Sequence, residues 1–540
     1  MSLPLVPTPA SLIARPGSFV ITDGLGIVVN SRELDATVQI FIDDVHRDTG
    51  LILDRVATTD EPAITVEFGN DELDSIRATS GIRADGKPVT DSGDERYCLD
   101  ITPSGVRVWA TTVEGVHRGL TSLRQLIAVG SQSTPAIISS GTIIDGPRFG
   151  WRGLSLDVVR TFHDPETVRR VIDMCSLHKL NVLHLHLTDD QGWRIEVPTR
   201  PELVSIGSTG AIGDRPGGHY SLAEMAELVA YAAARFITVV PEIDMPGHTG
   251  AIFQTYPELA PANAKNVADG LAIGTLNPEL SATWNFVEDV LDDVIPQFPQ
   301  SAFVHIGGDE AFGMADEAHA AFVERVIELV QKRDRIPIGW QEIARAELDP
   351  NVVVQYWMDP RETEAMLSND ALQASVPPEM MPLVAATLNK SIGDLPRALD
   401  AGAKLVISPT SRLYFDRPHE ENSSDSAQND LRARVGLPVY PPMSLRHGVC
   451  WDPADDTPGV SSDDQLAGVE GAIWCETIAN REELEFMLLP RLVGLAEKAW
   501  GPRGVTDWDD YAQRIEAQSL IWAARGWTWF HADTVDWPSR

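Results

Sequence analysis

The sequence predicts an α/β protein, a (β/α)8 TIM barrel preceded by a small α+β domain, and three observations predict it. From Trp151 onward, apolar runs of strand length alternate with amphipathic stretches of helical period, the mark of repeated βα units around a parallel sheet. Eight such runs occur, at 153–158, 182–187, 237–243, 303–307, 336–340, 352–357, 404–408 and 468–474, the number a closed barrel needs. Ahead of Trp151 the texture differs, with short alternating runs and helical stretches in place of the βα rhythm.

Taken in order, residues 1–146 form the α+β domain. Strand-like runs lie at 19–21, 27–29 and 63–66, with a helical stretch near 34–49. Runs 97–101 and 106–110 flank a Pro-Ser-Gly turn, and a helix is expected over 113–129. No polar cluster there suggests catalysis. The barrel is expected over 147–505, with helices at 165–178, 222–235, 281–295, 311–332 and 481–500. Stretches 358–392 and 417–467 are too long for barrel loops and are expected to decorate the catalytic mouth or lie partly disordered. Residues 506–540 read as a helical extension packing on the barrel. Its apolar runs, Ile521-Trp522-Ala523-Ala524 and Trp527-Thr528-Trp529-Phe530, must be buried, within the chain or in a homodimer contact. An open doubly wound sheet is the alternative architecture, but no Gly-x-Gly-x-x-Gly follows a strand.

A length of 540 residues suffices for two domains with sizeable cores. Basic side chains number 43 against 79 acidic, a formal charge of −36 that repels nucleic acid and anionic membranes and favours a neutral substrate. Most of that acidity is simply a solubility device. The four cysteines, Cys98, Cys175, Cys450 and Cys475, lack metal-type spacing and suit a reducing compartment, with a Cys450 to Cys475 disulfide as the minority alternative. The first twenty residues carry prolines at 4, 7 and 9 and no basic start before an apolar run, so neither signal peptide nor anchor is read there. No stretch reaches the roughly eighteen apolar residues of a membrane span. Cytoplasmic residence is the expectation, unless an export signal has been trimmed.

The most informative run is Phe303-Val304-His305-Ile306-Gly307-Gly308-Asp309-Glu310, an apolar strand ending in two glycines and two adjacent carboxylates. Successive side chains of an extended chain point in different directions, so Asp309 and Glu310 can serve two separate atoms. In a barrel, residues just past the C-terminal strand ends build the site. Those positions supply Asp157 with Arg160, Asp189 with Asp190, Asp244 with His248, and Asp309 with Glu310. Later strands add Trp340, Trp357, Tyr414 with Asp416, and Trp474 with Glu476. Carboxylates with an arginine suit hydroxyl groups, and tryptophan faces suit an apolar wall around a sugar. The set reads as a carbohydrate pocket.

Several blocks also carry a family likeness: Trp151-Arg152-Gly153-Leu154-Ser155-Leu156-Asp157-Val158-Val159-Arg160, His186-Leu187-Thr188-Asp189-Asp190-Gln191-Gly192-Trp193-Arg194, Pro241-Glu242-Ile243-Asp244-Met245-Pro246-Gly247-His248, the 305–310 run, and Trp474-Cys475-Glu476-Thr477. In this order they resemble the β-N-acetylhexosaminidases of glycoside hydrolase family twenty. Residues 115–126 look like the end of the small domain that precedes such barrels. The resemblance covers most of the chain and weakens in the two insertions.

That resemblance implies exo-acting, retaining release of a terminal non-reducing β-linked N-acetylglucosamine or N-acetylgalactosamine. The substrate's own 2-acetamido oxygen attacks the anomeric carbon, giving an oxazolinium intermediate. By the same resemblance Glu310 is the general acid and then base, Asp309 steadies the acetamido N–H, and Tyr414 donates to the acetamido oxygen. Trp340, Trp357 and Trp474 enclose the acetamido methyl and sugar face, while Arg160, Asp189, Asp416 and Glu476 bind hydroxyls. His248 with Asp244 supports the catalytic pair, and Trp451 is the candidate for a further sugar-contacting tryptophan. Neither cofactor nor metal is implied. The partner is an oligosaccharide or glycoconjugate with a terminal N-acetylhexosamine, such as a chitin fragment. Cys475 departs from the family pattern, where a small polar residue is more usual. So does the long 417–467 loop, which is expected to narrow the site to short terminal substrates.

Two other readings compete. His184 and His186, at i and i+2 on one strand face, would join Asp309 and His248 in a metal-dependent barrel hydrolase of amides or esters. Both histidines precede the strand end, and the tryptophans would then lack a purpose. A non-catalytic amino-sugar-binding protein would keep the pocket, but it has no need of a proton donor at Glu310. Asp157 and His305, inside apolar strands, are more simply satisfied core groups than catalysts.

Overall fold

The computed structural model describes residues 3–131, 135–261, 265–267, 271–376, 378 and 381–538. Residues 377, 379 and 380 of the 358–392 insertion, the first two residues of the N-terminal segment and the last two of the 506–540 extension lie outside the described residues.

The N-terminal part is one mixed sheet of β1 (Ser11–Ile21), β2 (Leu25–Val29), β3 (Leu53–Val56), β4 (Ile64–Phe68), β5 (Tyr97–Thr102), β6 (Gly105–Ala110) and β7 (Ala136–Asp145). Across the sheet the order is β1-β7-β5-β6-β4-β2-β3. Helices α1 (Asp35–Thr49) and α2 (Val113–Gly130) pack Val38, Phe41, Val116 and Leu120 against Ile27, Val66 and Val108 in one buried cluster. Thr112 starts α2, its hydroxyl accepting from Gly115 N at 3.0 Å, which satisfies one of the helix's orphan N–H groups. The far side of α2 meets the barrel, where Gln125 Nε2 donates to Leu177 O at 2.8 Å.

The barrel strands are β8 (Trp151–Asp157), β9 (Val182–His186), β10 (Thr238–Met245), β11 (Phe303–Gly307), β12 (Ile336–Trp340), β13 (Val353–Tyr356), β14 (Lys404–Ile407) and β15 (Leu466–Ile473). They close in sequence order into a parallel barrel. Every residue of β8, β9, β10, β11, β13 and β15 is buried, as strands covered on both faces must be. Helices α3 (Pro165–Leu177), α4 (Leu222–Ala233), α5 (Ser281–Val294) and α6 (Asp316–Gln331) follow the first four strands. Asp164 caps α3 by accepting from Thr167 N at 2.8 Å, with Pro165 at the first position, where no N–H is required.

Two departures from the sequence expectation have physical causes. Helix α6 begins at Asp316 rather than 311, because Glu310 and Gly313 are left-handed, at φ 45° and 83°, and a right-handed helix cannot include them. The expected 481–500 helix is two, α7 (Arg481–Leu488) and α8 (Arg491–Trp500), since Pro490 lacks an N–H and pushes Leu489 into an extended conformation. Between β12 and β13 the chain makes a short 3-10 turn, Gln341–Arg345, in place of a helix.

Both insertions are ordered where described. Helices Thr363–Leu367, Asp370–Ser375 and Met381–Ser391 bring Met366, Val384 and Leu388 into one cluster with Trp340, Trp357 and Tyr414. The 417–467 segment is pinned by Arg491, whose guanidinium donates to the carbonyls of Phe415, Arg417, Pro418 and Met443. The C-terminal helix α9 (Trp508–Ala524) packs on the small domain as well as the barrel: Gln518 Nε2 donates to Pro4 O at 2.6 Å, and Arg525 pairs with Asp44 at 2.9 Å. Trp522, Trp527, Trp529 and Phe530 are buried within the chain, so this tail offers no apolar surface to a second copy. The four cysteines are free thiols, which removes the alternative of a disulfide between Cys450 and Cys475. Among the described residues no helix is long and apolar enough to cross a membrane.

Candidate active site

Strand β11 ends at Gly307, two residues before the carboxylates. Gly307 and Gly308 turn the chain with φ of 66° and 98°, and a β-carbon on Gly308 would lie 2.4 Å from Ile343 Cγ2. Asp309 and Glu310 therefore diverge through a tight turn and not through strand alternation. Glu310 at φ 45° and His248 at φ 51° are left-handed without being glycine, a strain that packing must hold in place.

The turn delivers both acids into a cavity of about 470 Å³, counted to its open mouth. Arg160, His186, Asp189, Asp244 and His248 line it with them on one side, and Trp340, Trp357, Tyr414, Trp474 and Glu476 on the other. Its volume and mixed lining suit one sugar unit. Leu437 and Tyr440 complete the rim, and both come from the 417–467 insertion.

Asp189 organises the charged side. Its carboxylate meets Arg160 Nη2 at 2.6 Å, His186 Nε2 at 2.8 Å and His248 Nδ1 at 3.1 Å. The other ring nitrogen of His248 stands 3.5 Å from Asp309 Oδ2 and 3.6 Å from Glu310 Oε2. Against its burial, the carboxylates of Asp189 and Asp244 hold His248 well above the ordinary imidazole range. Burial pushes the Glu310 carboxyl up to about 7; His248 opposes the shift and Asp309 adds to it. Burial and the Asp309 charge also raise Asp244 well above the usual carboxylate range.

The aromatic side is held from behind. Trp340 Nε1 donates to Glu242 Oε1 at 2.8 Å, and Trp357 Nε1 to Glu342 Oε2 at 3.0 Å. Gln341 Oε1 accepts from the backbone N–H of Trp357 and Met358 at 3.0 and 2.9 Å, fixing the strand end. Tyr414 stacks on Trp357 at 6.2 Å and meets Trp474 and Tyr440 edge-on. Arg160 lies over the Trp474 ring at 5.2 Å, joining the two sides.

Two expected site residues are not on the cavity wall. Trp451 is carried by the helix Leu445–Val449 into the core beside α8, where Nε1 donates to Gly448 O at 2.9 Å and Lys498 binds its carbonyl. Tyr440 and Leu437 take the rim place that Trp451 was expected to fill. Asp416 is fully buried and is not among the lining residues; burial and the Glu476 charge raise its carboxyl well above the usual range. Sequence reasoning missed Tyr440, Leu437 and the supporting Glu342, since nothing in their local pattern marks them. Asp157 is a structural group: its Oδ1 accepts from Val159 N at 2.8 Å and its Oδ2 from Cys475 N at 2.9 Å. Cys475 itself is buried with its sulfur 3.4 Å from His163 Nε2.

Asp244, His248 and Asp309, or Asp189, Asp190 and His248, bring three donor atoms within 4.8 Å and are spaced as a metal trio could be. The histidine pair of the metal-hydrolase reading is committed elsewhere. His186 spends both ring nitrogens on Glu242 and Asp189, and His184 places its own against Glu470 and Glu242. Both also belong to wholly buried trios spaced as a metal site could be, His184 with Glu242 and His305, and His186 with Glu242 and Asp244.

Comparison with known proteins bears on the same features. Glycosyl hydrolase family 20, catalytic domain, matches residues 149–380 and 384–503, and Glycosyl hydrolase family 20, domain 2, matches residues 2–146. A β-N-acetylhexosaminidase of Cellulomonas fimi is 33% identical over 99% of this chain and 97% of its own length. The Streptomyces plicatus N-acetyl-β-hexosaminidase in complex with thio-NAglucal superposes with a TM-score of 0.81 at 33% identity, over 99% of this chain and 98% of that one. A mutant Streptomyces plicatus β-hexosaminidase in complex with the product GlcNAc gives 0.82 at 32% identity, with the same coverage of 99% and 98%. With both family domains matched in order and the barrel closed around such a cavity, this chain belongs to glycosyl hydrolase family 20 and is a glycoside hydrolase.

Proposed function

We propose that the protein is an exo-acting, retaining β-N-acetylhexosaminidase that releases terminal non-reducing β-linked GlcNAc or GalNAc by substrate-assisted catalysis. The observation that carries this reading is the convergence of Asp309 and Glu310 on one sugar-sized cavity whose opposite wall is Trp340, Trp357 and Trp474. Near neutrality Glu310, with its proton affinity lifted to about 7, still carries a proton to give.

In the first step the acetamido oxygen forms a bond to the anomeric carbon, the glycosidic C–O bond breaks, and the Glu310 proton goes to the departing oxygen. Asp309 accepts from the acetamido N–H and stabilises the charge that develops on the oxazolinium ring. Tyr414 donates to the acetamido oxygen, and the tryptophans exclude water from the methyl group. In the second step Glu310 takes a proton from water as that water attacks the anomeric carbon and the acetamide is restored. Arg160, Asp189 and Glu476 hold sugar hydroxyls, with Leu437 and Tyr440 limiting the space beyond the terminal unit. Chitin fragments and glycoconjugate termini both satisfy this chemistry.

Hydrolysis of aryl N-acetylglucosaminide, N-acetylgalactosaminide and plain glucoside, measured in parallel with and without a strong chelator, tests the reading. Both acetamido sugars should turn over with the β-anomer appearing first, unaffected by chelation, and the plain glucoside should not. Equal turnover of the glucoside would contradict acetamido assistance. Loss of activity on chelation would favour a metal hydrolase, and no turnover at all would leave a binding protein.

A further inference from the structure

Beneath the cavity floor, inside the barrel, lies a polar network that the chemistry above does not use. Glu242 on β10 is fully buried, and four nitrogens converge on its carboxylate. Trp340 Nε1 donates to Oε1 at 2.8 Å, and His305 Nδ1 lies 2.9 Å from the same oxygen. His186 Nδ1 is 2.6 Å from Oε2, with His184 Nε2 at 3.1 Å. A buried carboxylate is tolerated only when donors surround it in this way. Against burial, His305, His186 and His184 hold Glu242 well below the usual carboxylate range.

The two oxygens lead to different parts of the site. Oε1 holds Trp340, a wall of the cavity. Oε2 holds His186, whose Nε2 meets Asp189 at 2.8 Å; Asp189 holds His248 at 3.1 Å, and His248 faces Asp309 and Glu310 at 3.5 and 3.6 Å. Below, His184 anchors the network to Glu470 Oε1 at 2.9 Å, where Gln355 also donates at 3.0 Å.

We propose that Glu242 is a positioning residue that couples the acetamido-facing wall to the proton-transfer pair, so that the attacking group and the acid are set by one carboxylate. The inference rests on the substrate-assisted reading, since only there does Trp340 face the attacking group. A glutamine at 242 cannot replace it: the Trp340 indole N–H and His186 Nδ1 each bond a different carboxylate oxygen, and glutamine offers one carbonyl oxygen and a competing NH₂. Glutamine also withdraws one of the two negative charges, Glu242 and Asp189, that favour the proton on His186. His186 lines the cavity with Glu310 whereas Glu242 does not, so the His186 charge bears on the acid more directly than the Glu242 charge. The groups facing Glu310 are His248, Asp309, Arg160 and Asp189, with Tyr440 across the cavity; those facing Glu242 are His184, His186, His305 and Asp244. A weaker positive charge at His186, on the cavity wall, raises the proton affinity of Glu310.

Glu242→Gln should therefore raise KM for the aryl N-acetylglucosaminide about tenfold and move the alkaline limb of the kcat/KM profile to higher pH. His186→Gln should move the limb alone, and Trp340→Phe the KM alone. The His186→Gln/Trp340→Phe double mutant should depart from additivity by about threefold or more, because both act through one carboxylate. The cycle decides the matter even where Glu242→Gln fails to fold in thermal melts. Additive single effects, or a folded Glu242→Gln enzyme that loses only kcat with KM and the limb unmoved, would overturn the coupling. A wild-type enzyme that cleaves the plain glucoside equally well would instead sink the substrate-assisted reading itself, independently of the cycle.

Discussion

A β-carbon placed on Gly307 would fall 1.6 Å from Asp244 Oδ1. The end of β11 and a carboxylate near the end of β10 are thus in direct contact, with Gly308 N also donating to Asp244 Oδ1 at 3.3 Å. Gly307→Ala must displace Asp244 and, with it, His248, besides forcing alanine to adopt φ 66°. Its kcat/KM should fall about 1,000-fold or more, and its stability by about 3 kcal/mol. Steady-state kinetics beside a urea titration would check both, and near-normal activity would contradict the tight approach.

Glu310→Gln keeps the shape of the side chain and removes the transferable proton. Rates on substrates with poor leaving groups should drop about 100- to 10,000-fold, and on activated aryl glycosides by much less. Sugar binding, followed by calorimetry with GlcNAc, should persist.

The same substitution has a stability signature. Burial lifts the folded-state value of Glu310 from 4.5 to about 7, so the folded protein holds this proton more tightly than the unfolded chain. Between those values rising pH lowers stability, and above about 7 the full penalty is present. Glu310→Gln should melt higher than wild type at pH 8, by on the order of 2 kcal/mol, with the difference fading to nothing below pH 4.5. A difference that does not change between pH 4 and pH 8 would contradict the lifted proton affinity.

Glu342 holds the indole N–H of Trp357. Burial and the nearby Asp309 charge raise its carboxyl well above the usual carboxylate range, which favours the protonated form. Glutamine is then a close substitute, and Glu342→Gln should keep kcat/KM within about threefold of wild type. Glu342→Ala leaves the buried N–H without an acceptor and should cost about 1–3 kcal/mol, appearing as a KM increase for acetamido substrates. Equal damage from both variants would mean that Glu342 works as an anion.

Trp522 on α9 packs against Trp529 at 5.9 Å and Trp537 at 6.1 Å, with His178 of the barrel edge-on at 6.3 Å. Trp522→Ala should lower stability by about 3–5 kcal/mol without altering the molar mass seen by light scattering. A change of mass would restore the dimer contact that the burial of this tail removed.

Much of this architecture is legible in the residues because barrel strands buried on both faces are near-continuous apolar runs. Runs 303–307 and 336–340 match β11 and β12 end to end. The failures were governed by distant contacts. Nothing near Trp451 or Tyr440 tells which will reach the mouth, because Arg491, dozens of residues later, pins the chain on both sides of Tyr440. The divergence of Asp309 from Glu310 was expected for the wrong reason, since alternation applies only while the strand lasts. Glu242 and Asp244, like His184 and His186, sit two apart on inward-facing strands. That spacing could have identified Glu242 as their shared partner.

Gln518 and Pro4, joined by a hydrogen bond, are 514 positions apart. Arg514 likewise binds Leu5 O at 3.0 Å, so the barrel and the leading sheet are clasped by a helix synthesised long after either. During synthesis the two earlier bodies must wait, each able to collapse locally but with their shared seam uncovered. The clasp closes only when α9 arrives, so a ribosome stalled before residue 508 would hold a chain that lacks it.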